Sequence, residues 1–261
     1  GSGSGAPAPQ PVVGGGAAPF AGGPEETRVP VKGVRKATAA AMVSSAFTAP
    51  HVTEFVTIDV TAMMDLVERL KADRAFRDVK VTPLLLVAKA LTLALRRHPE
   101  ANASWDAETQ EIVLHRDVNL GIAAATPRGL LVPNIKAADR LSLRDLADSL
   151  GSLVGTAREG RTPPADLAGG TATITNVGVF GVDTGTPILN PGEAVILAFG
   201  AVRRMPWVVA GADGSESIEP RWVTQLALSF DHRLVDGELG SKLLADVAAL
   251  LHDPGTAFLW A

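Results

Sequence analysis

The chain has 261 residues, 46% of them hydrophobic and 20% charged, so it is long enough to bury a substantial core in one domain. Its formal net charge is −4 and its basic residues form no concentrated patch, which argues against a nucleic-acid partner. It contains no cysteine, which excludes disulfides, thiolate nucleophiles and cysteine-ligated zinc.

Membrane insertion and secretion are not expected. The most apolar stretch, residues 81–95, is interrupted by Lys89 and falls short of the roughly 20 clean residues that a membrane span requires. The N-terminus has no charged region followed by an apolar core and a cleavage site, so we predict no signal peptide. A cytoplasmic protein fits this pattern.

Residues 1–27 are predicted to be a flexible linker. They are dominated by Gly, Ala, Pro and Ser, which cannot bury enough surface to offset the entropy lost on ordering. Gly1–Gly5 is typical of a cloning remnant, and the rest resembles a tether for a module further upstream. One folded domain is therefore predicted over residues 28–261.

The first predicted elements are a helix, a strand and two further helices. Arg35–Ser45 is rich in helix formers, and Val52–Val60 has the alternating apolar pattern of a half-buried strand. Thr61 is predicted to cap the following helix. Thr82 and Pro83 predict the start of a central buried helix, Leu84–Arg97.

A hairpin and a further helix are predicted next. Ile112–Leu114 and Val118–Ala125 have the composition of strands, Arg128 and Gly129 form a turn, and Leu130–Ile135 is the returning strand. Ser142 then caps a helix that extends to about Arg158 and ends at a glycine and two prolines.

The C-terminal part alternates strands and loops before a last helix. Gly211–Glu219 is polar and is predicted to be a surface loop, and Leu239–Leu251 has the apolar spacing of a helix. The predicted strands are Thr171–Asn176, Ala194–Val202 and Trp222–Ser229. Because strict strand–helix alternation is absent, we predict an α+β domain with helices against one face of a largely antiparallel or mixed β-sheet.

The stretch Ser229–Gly237 is the strongest candidate for a catalytic turn. It places His232 directly after Asp231 and four residues before Asp236, where an extended segment gives way to a helix. A neutral imidazole takes up a proton near neutral pH, and a nearby carboxylate fixes its tautomer or the local backbone. A histidine that is merely polar filler in a turn is the alternative, which the His-x-x-x-Asp-Gly pattern disfavours.

A second polar motif is the run of threonines that ends at Asn176. In a strand, Thr171, Thr173 and Thr175 share one face and form a row of hydroxyl groups. Threonine is also a good strand former, so a purely structural row is the alternative. Together with His232, such a hydroxyl supplies what acyl transfer requires: a base for the incoming nucleophile and a donor for the tetrahedral oxyanion.

The sequence lacks the motifs of several other kinds of active site. The sequence has no nucleophile elbow, phosphate-binding loop, paired zinc histidines or dinucleotide fingerprint. His51, His98, His115 and His252 are scattered without the spacing of metal ligands, so no metal site is predicted.

The motifs together resemble the catalytic domain of the dihydrolipoamide acyltransferases, the E2 components of 2-oxo acid dehydrogenase complexes. The resemblance covers residues 28–261 and rests on four segments: Asp231–Gly237, Thr173–Gly178, Gly33–Lys36 and Arg128–Pro133. The His-x-x-x-Asp-Gly motif alone would also admit chloramphenicol acetyltransferases and condensation domains, but these usually have a second histidine where this chain has Asp231. The family implies a chloramphenicol-acetyltransferase-like fold.

The resemblance also implies a reaction and roles for individual residues. An acyl group would pass between coenzyme A, a co-substrate, and the 8-thiol of a dihydrolipoyl group, with His232 as general base. Thr175 would be the oxyanion donor, where many members have serine. Asp236 would support the histidine turn and pair with Arg35. No metal is implied.

The family further implies an assembly. Homotrimers would share each active site between two subunits and associate into a hollow 24-mer or a larger 60-mer. The apolar C-terminal residues Phe258, Leu259 and Trp260 are predicted to form the contact between trimers. The chain contains no lipoyl domain and no evident domain for binding the E1 and E3 components, so upstream domains would supply both.

The sequence leaves the acyl group and two alternative functions open. The His51–Thr53 region and the loops favour branched-chain acyl groups over acetyl or succinyl, although no motif reports the size of the pocket. A scaffold with a vestigial site is one alternative, which intact His232 and Thr175 disfavour. Acyl transfer to a small-molecule hydroxyl is the other.

Overall fold

The structure is a computed structural model that describes residues 26–126 and 129–260. Nearly all of the predicted linker and Arg128 of the predicted turn therefore lie outside the described residues. Among the residues that are described, no helix is long and apolar enough to cross a membrane.

Six α-helices occur in the described residues, and all five predicted helices are among them. The helices are α1 (Gly33–Thr48), α2 (Thr61–Ala72), α3 (Pro83–Arg97), α4 (Leu143–Arg158), α5 (Pro164–Leu167) and α6 (Gly237–His252). The short α5 was not predicted. Ser142 caps α4 as expected, because its side chain accepts a hydrogen bond from the backbone N–H of Asp145.

Eleven strands form one large sheet and two small hairpins in the described part of the chain. The strands are β1 (His51–Asp59), β2 (Ala103–Asp106), β3 (Glu111–Leu114), β4 (Leu120–Ile122), β5 (Ala124–Thr126), β6 (Gly129–Leu131), β7 (Asn134–Ile135), β8 (Ala172–Asn176), β9 (Val195–Phe199), β10 (Arg203–Ala210) and β11 (Glu216–Asp231). β2 pairs with β3, and β5 pairs with β6.

The large sheet has the order β1-β11-β9-β8-β4-β7, with β10 paired to the outer part of β11. β8 runs parallel to both β4 and β9, whereas the other pairs are antiparallel. The sheet is therefore mixed, and the predicted α+β class is confirmed.

Three local predictions were wrong. Thr61 does not cap α2: Asp59 accepts the Thr61 backbone N–H at 2.9 Å, and the Thr61 hydroxyl donates to the same carboxylate at 2.6 Å. Gly211–Glu219 is not a loop throughout: residues 211–215 form the turn of a long hairpin that follows β10, and β11 already begins at Glu216. The single strand predicted at Val118–Ala125 is split into β4 and β5, which belong to different sheets.

The two faces of the large sheet differ in what covers them. Alternate apolar residues of the central strands point toward the main core, where they pack with α2, α3, α4 and α6. Residues of the opposite face include Thr173, Thr175, Ile196 and Ala198. A small buried cluster of Ala49, Leu189 and Ile196 joins this face to the end of α1 and to the loop before β9. The threonine row therefore lies on the face away from the main core.

Candidate active site

His232 lies on a tight turn between the end of β11 and the start of α6. Its backbone N–H donates to Pro50 O at 2.9 Å, and the N–H groups of Leu234 and Val235 both donate to Asp231 O at 2.9 Å. The His232 side chain is exposed, and its ring lies 6.0 Å from the ring of Phe230. The turn therefore holds the backbone firmly while it presents the imidazole at the surface of the chain.

Asp231 and Arg233 secure this turn from both sides of the histidine. The buried Asp231 carboxylate accepts the Arg233 backbone N–H at 3.0 Å and two guanidinium bonds, at 2.9 Å from Nε and 2.6 Å from Nη2. The guanidinium carbon also lies 5.0 Å from the ring centre of Trp105, a cation–π contact to the β2–β3 hairpin. Sequence analysis assigned no role to Arg233 or Trp105.

Asp236 caps the helix that follows the histidine turn. Its side chain accepts a hydrogen bond from the Leu239 backbone N–H at 2.8 Å, which satisfies one of the free N–H groups of the first turn of α6. Arg35 lies in the first turn of α1 and is exposed. Within the described residues of one chain, no ion pair joins Arg35 to Asp236, so their pairing stays a prediction.

The other four histidines are occupied by structural hydrogen bonds. His51 uses both ring nitrogens, since Nδ1 contacts Ala49 O at 2.7 Å and Nε2 accepts the Leu189 N–H at 3.0 Å. His98, His115 and His252 contact Asp246, Ser104 and the Asp59 carbonyl, respectively. Among the described residues, His232 is thus the histidine whose imidazole has no hydrogen-bond partner.

Thr175 lies near the end of β8 in the wall of a cavity of about 370 Å³. The lining is mostly apolar. Ala123, β6 and α1 contribute to one side, and residues 185–190 contribute to the other. Thr175 is half-buried, and in the described part of the chain its hydroxyl makes no hydrogen bond. A free hydroxyl in an apolar cavity is available to a bound carbonyl oxygen.

Glu193 is a buried carboxylic acid behind this cavity, and sequence analysis missed it. Its Oε2 accepts the hydroxyl proton of Thr173 at 2.6 Å, and its Oε1 accepts Asn190 Nδ2 at 2.8 Å. Burial raises the pKa of Glu193 to about 7, although both hydrogen bonds act in the opposite direction. The only available signal was an acidic residue directly before the apolar run of β9.

The described residues place His232 and Thr175 too far apart to act together in one chain. Thr175 is level with Ala198 on β9, and Ala198 is level with Ala227 on β11. His232 follows Ala227 by five positions, so the two backbones are separated by about 16 Å along the strands and about 10 Å across them. Neither side chain bridges that gap.

No metal centre competes with this interpretation in the described ranges. They hold no group of three or more His, Cys, Asp or Glu side chains that could bind a metal ion.

Comparisons with known proteins place the chain in a family. Residues 23–259 match the 2-oxoacid dehydrogenases acyltransferase (catalytic domain) family. A relative from Bacillus subtilis, the dihydrolipoyllysine-residue acetyltransferase component of the pyruvate dehydrogenase complex, is 42% identical over 88% of this chain and 51% of its own length. The chain thus spans about half the length of the curated relatives that it matches.

Solved structures show the same relationship. One describes the roles of a serine, a histidine and an asparagine in the catalytic mechanism of Azotobacter vinelandii dihydrolipoamide acetyltransferase, and another describes the cubic core of the pyruvate dehydrogenase multienzyme complex. Each is 31% identical, covers 97% of this chain and 99% of its own, and has a TM-score of 0.82.

The fold is also similar to that of a chloramphenicol acetyltransferase, at a TM-score of 0.53 and 13% identity over 85% of this chain and 98% of that one. The predicted chloramphenicol-acetyltransferase-like fold is therefore confirmed. The match across residues 23–259 and the identity to curated relatives together establish that this chain belongs to the family of 2-oxoacid dehydrogenase acyltransferase catalytic domains.

Proposed function

We propose that the chain transfers an acyl group between coenzyme A and a dihydrolipoyl group, with His232 as general base and Thr175 as oxyanion donor. The observation that carries this proposal is that the His232 imidazole and the Thr175 hydroxyl are both uncommitted, while the other four histidines hold the fold together. Coenzyme A and the lipoyl group are both substrates, and the lipoyl group comes from a domain outside residues 28–261.

The geometry supports the following reaction. His232 takes the proton of the attacking thiol, and the thiolate forms a bond to the carbonyl carbon of the acyl thioester. The Thr175 hydroxyl donates a hydrogen bond to the resulting oxyanion. The oxyanion collapses, the bond to the leaving sulfur breaks, and the protonated His232 returns the proton to that sulfur. The step is reversible, since a thioester is exchanged for a thioester.

The site belongs to an interface between two subunits. The separation of His232 and Thr175 in one chain supports a site in which the turn of one protomer meets the threonine of another. Such a contact joins two different surfaces and closes into a ring, and a trimer is the ring that the family resemblance implies.

A mixing experiment tests this arrangement. Inactive His232→Ala and Thr175→Ala chains are unfolded and refolded together, and thiol exchange between an acyl-dihydrolipoamide and coenzyme A is measured. In random mixed trimers about one quarter of the interfaces receive both intact residues, so activity should return to about a quarter of the wild-type value. Each variant refolded alone is the control. If mixed trimers form but stay at the single-variant level, the shared site is wrong.

The acyl group is proposed to be acetyl. The curated relatives at 40–42% identity are acetyltransferase components of pyruvate dehydrogenase complexes, and this outweighs the branched-chain preference drawn from the His51–Thr53 region. His51 is moreover bound through both nitrogens to backbone groups, so it is not a free specificity contact. Competition between acetyl-CoA and isobutyryl-CoA tests the choice, and a higher kcat/KM for isobutyryl-CoA would reverse it.

The C-terminal segment is proposed to join trimers into a 24-mer, with a 60-mer as the alternative. Phe258 and Leu259 are 88% and 81% exposed at the end of the turn Pro254–Leu259, whereas Trp260 lies 4.0 Å below the Arg97 guanidinium carbon. The Trp260 ring thus anchors the segment to Arg97, while the side chains of Phe258 and Leu259 are exposed to solvent. Deletion of Phe258–Ala261 should yield isolated trimers by light scattering. An unchanged particle size would exclude the segment as the connector.

A further inference from the structure

The cavity beside Thr175 has two walls that come from separate segments of the chain. One wall is the face of β8 that includes Thr173 and Thr175. The other is the loop at residues 185–190, which includes Asn190. In the described residues, neither Thr173 nor Thr175 donates a hydrogen bond directly to this loop or accepts one from it. The separation of the walls therefore depends on what lies behind them.

Glu193 contacts both walls. Thr173 is fully buried, and its hydroxyl donates to one carboxylate oxygen, whereas the side-chain amide of Asn190 donates to the other. Glu193 itself is 4% exposed. A buried carboxylate that accepts two hydrogen bonds fixes the position of both donors, because neither can turn away without leaving a buried polar group unpaired.

The backbone around this group is built to leave it room. A Cβ atom at Gly170 would lie 2.6 Å from Glu193 Oε1, and one at Gly121 would lie 2.5 Å from the Thr173 hydroxyl oxygen. At these distances a Cβ atom would force the Glu193 carboxylate or the Thr173 hydroxyl to move from its present position. Two neighbouring strand segments therefore accommodate the Thr173–Glu193 pair.

We propose that Glu193 is a positioning residue of the acyl-transfer site, which ties the strand wall to the loop wall and so fixes Thr175 relative to the bound acyl group. This inference rests on the function proposed above. It gives Glu193 no contact with the substrate: its effect passes through Thr173 and Asn190.

Protonation would alter one of the two ties. A carboxylate accepts from both donors, whereas a carboxylic acid has a proton on one oxygen. If that oxygen faces Thr173, it would donate to the hydroxyl instead of accepting from it; if it faces the Asn190 NH2 group, which cannot accept, the hydrogen bond would be weakened. Since burial raises the pKa of Glu193 to about 7, this change occurs in the pH range in which the enzyme would be assayed. The other charged groups that face the 250 Å³ cavity on the far side of Glu193 are Asp231 and Arg233, which pair with each other at 2.6 Å. No charged side chain contributes to the raised pKa of Glu193.

The test compares Glu193→Gln with the wild-type protein and with a matched control, Asp139→Asn. Asp139 is a buried acid that accepts the Val118 N–H and lies outside the lining of the Thr175 cavity. Glutamine keeps the shape of glutamate but accepts at only one end. We expect kcat to fall about tenfold with unchanged KM values, the equivalent of one buried hydrogen bond, because transition-state alignment is lost rather than binding.

A second readout separates positioning from a merely structural role. The profile of log(kcat/KM) against pH should contain a step of about one log unit with its midpoint near pH 7 in the wild type, because protonation alters one of the two hydrogen bonds of Glu193, and Glu193→Gln should lack that step. Asp139→Asn should keep the step. Folded Glu193→Gln trimers with wild-type kcat and the wild-type step would overturn the proposal.

Threonine-methyl NMR distinguishes this failure from failure of the proposed function. If wild-type trimers exchange no acyl groups, the proposed function fails. The positioning role of Glu193 is then tested by the methyl signals of Thr173 and Thr175, which do not depend on activity. The Thr173 and Thr175 methyl signals should titrate together with a midpoint near pH 7, and Glu193→Gln should abolish that titration. Methyl signals that are insensitive to both pH and the substitution would refute the positioning role.

Discussion

The histidine turn and the threonine wall are secured by different kinds of contact. At the turn, Asp231 binds Arg233 two residues away, and Asp236 caps a helix that begins at the next residue. At the wall, Thr173 and Thr175 are placed by the register of β8 against β4 and β9, and by a buried acid twenty residues further on. The proposed base therefore depends on local hydrogen bonds, whereas the proposed oxyanion donor depends on the whole sheet.

This difference predicts how substitutions in the histidine turn and in the threonine wall will act. A substitution in the turn should act locally and leave the sheet intact, whereas a substitution behind the wall should alter a cavity formed by several elements. The predictions below test that contrast, from the largest expected effect to the smallest.

Replacement of the base should have the largest effect. His232→Ala removes a side chain that makes no hydrogen bond in the described residues, so folding should be unaffected. Turnover should fall by about two to four orders of magnitude, the usual value of general base catalysis. Thiol exchange measured on trimers with wild-type melting temperature checks this, and near-wild-type turnover would remove His232 from the mechanism.

Replacement of the oxyanion donor should be nearly as severe. Thr175→Ala should lower kcat by about 10²–10³ with little change in KM, because the hydroxyl is needed mainly once the oxyanion has formed. Thr175→Ser, the matched control, keeps the hydroxyl and should be mild. If Thr175 is only structural, the alanine variant will instead lose stability and keep its activity per folded molecule.

The buried acid behind the wall should make stability depend on pH. The pKa of Glu193 is raised from 4.5 to about 7 in the folded protein, so the folded state binds more protons than the unfolded state between these values. The contribution of Glu193 to the free energy of unfolding is therefore fully present below pH 4.5 and is lost as the pH rises to about 7. The loss amounts to up to about 3 kcal/mol.

Chemical denaturation at pH 5 and pH 7.5 measures this contribution. The difference in unfolding free energy between the two pH values should shrink in Glu193→Gln, which cannot ionise, and should persist in Asp139→Asn. Equal pH dependence in the wild type and Glu193→Gln would mean that the carboxyl group titrates normally.

The same contrast explains how much was predictable from sequence. The five main helices, the strands β1, β8 and β9, and the histidine turn carry their signals in adjacent residues: helix formers, alternation, a cap and a glycine. The start of β11 was missed because Gly211–Glu219 is polar, and the β10–β11 pair projects from the sheet, where polar residues are tolerated. Arg203–Ala210, which forms β10, was assigned to no element. Neither the Thr173–Glu193 pair nor the partners of Arg233 and His51 could be found, since each joins segments that only the fold brings together.

The smallest expected effect separates two roles of Asp236. Its carboxylate caps α6 in one chain, whereas the family resemblance implies an ion pair with Arg35. Asparagine is as good a helix cap as aspartate, so Asp236→Asn should leave stability nearly unchanged, whereas Asp236→Ala should cost about 1 kcal/mol. The Azotobacter vinelandii relative has its catalytic asparagine four positions after the histidine, the spacing of Asp236 from His232.

A double-mutant cycle then isolates the ion pair. Activity and unfolding free energy are measured for Asp236→Asn, Arg35→Gln and the double variant, with Lys36→Gln in place of Arg35→Gln as the control. If the pair forms, the effects of the two substitutions should be non-additive by at least about 0.5 kcal/mol, and the control cycle should be additive. Because no such pair occurs within one described chain, coupling confined to the assembled trimer would locate Arg35 on the neighbouring subunit. Additive effects in the trimer would leave the helix cap as the role of Asp236 at the histidine turn.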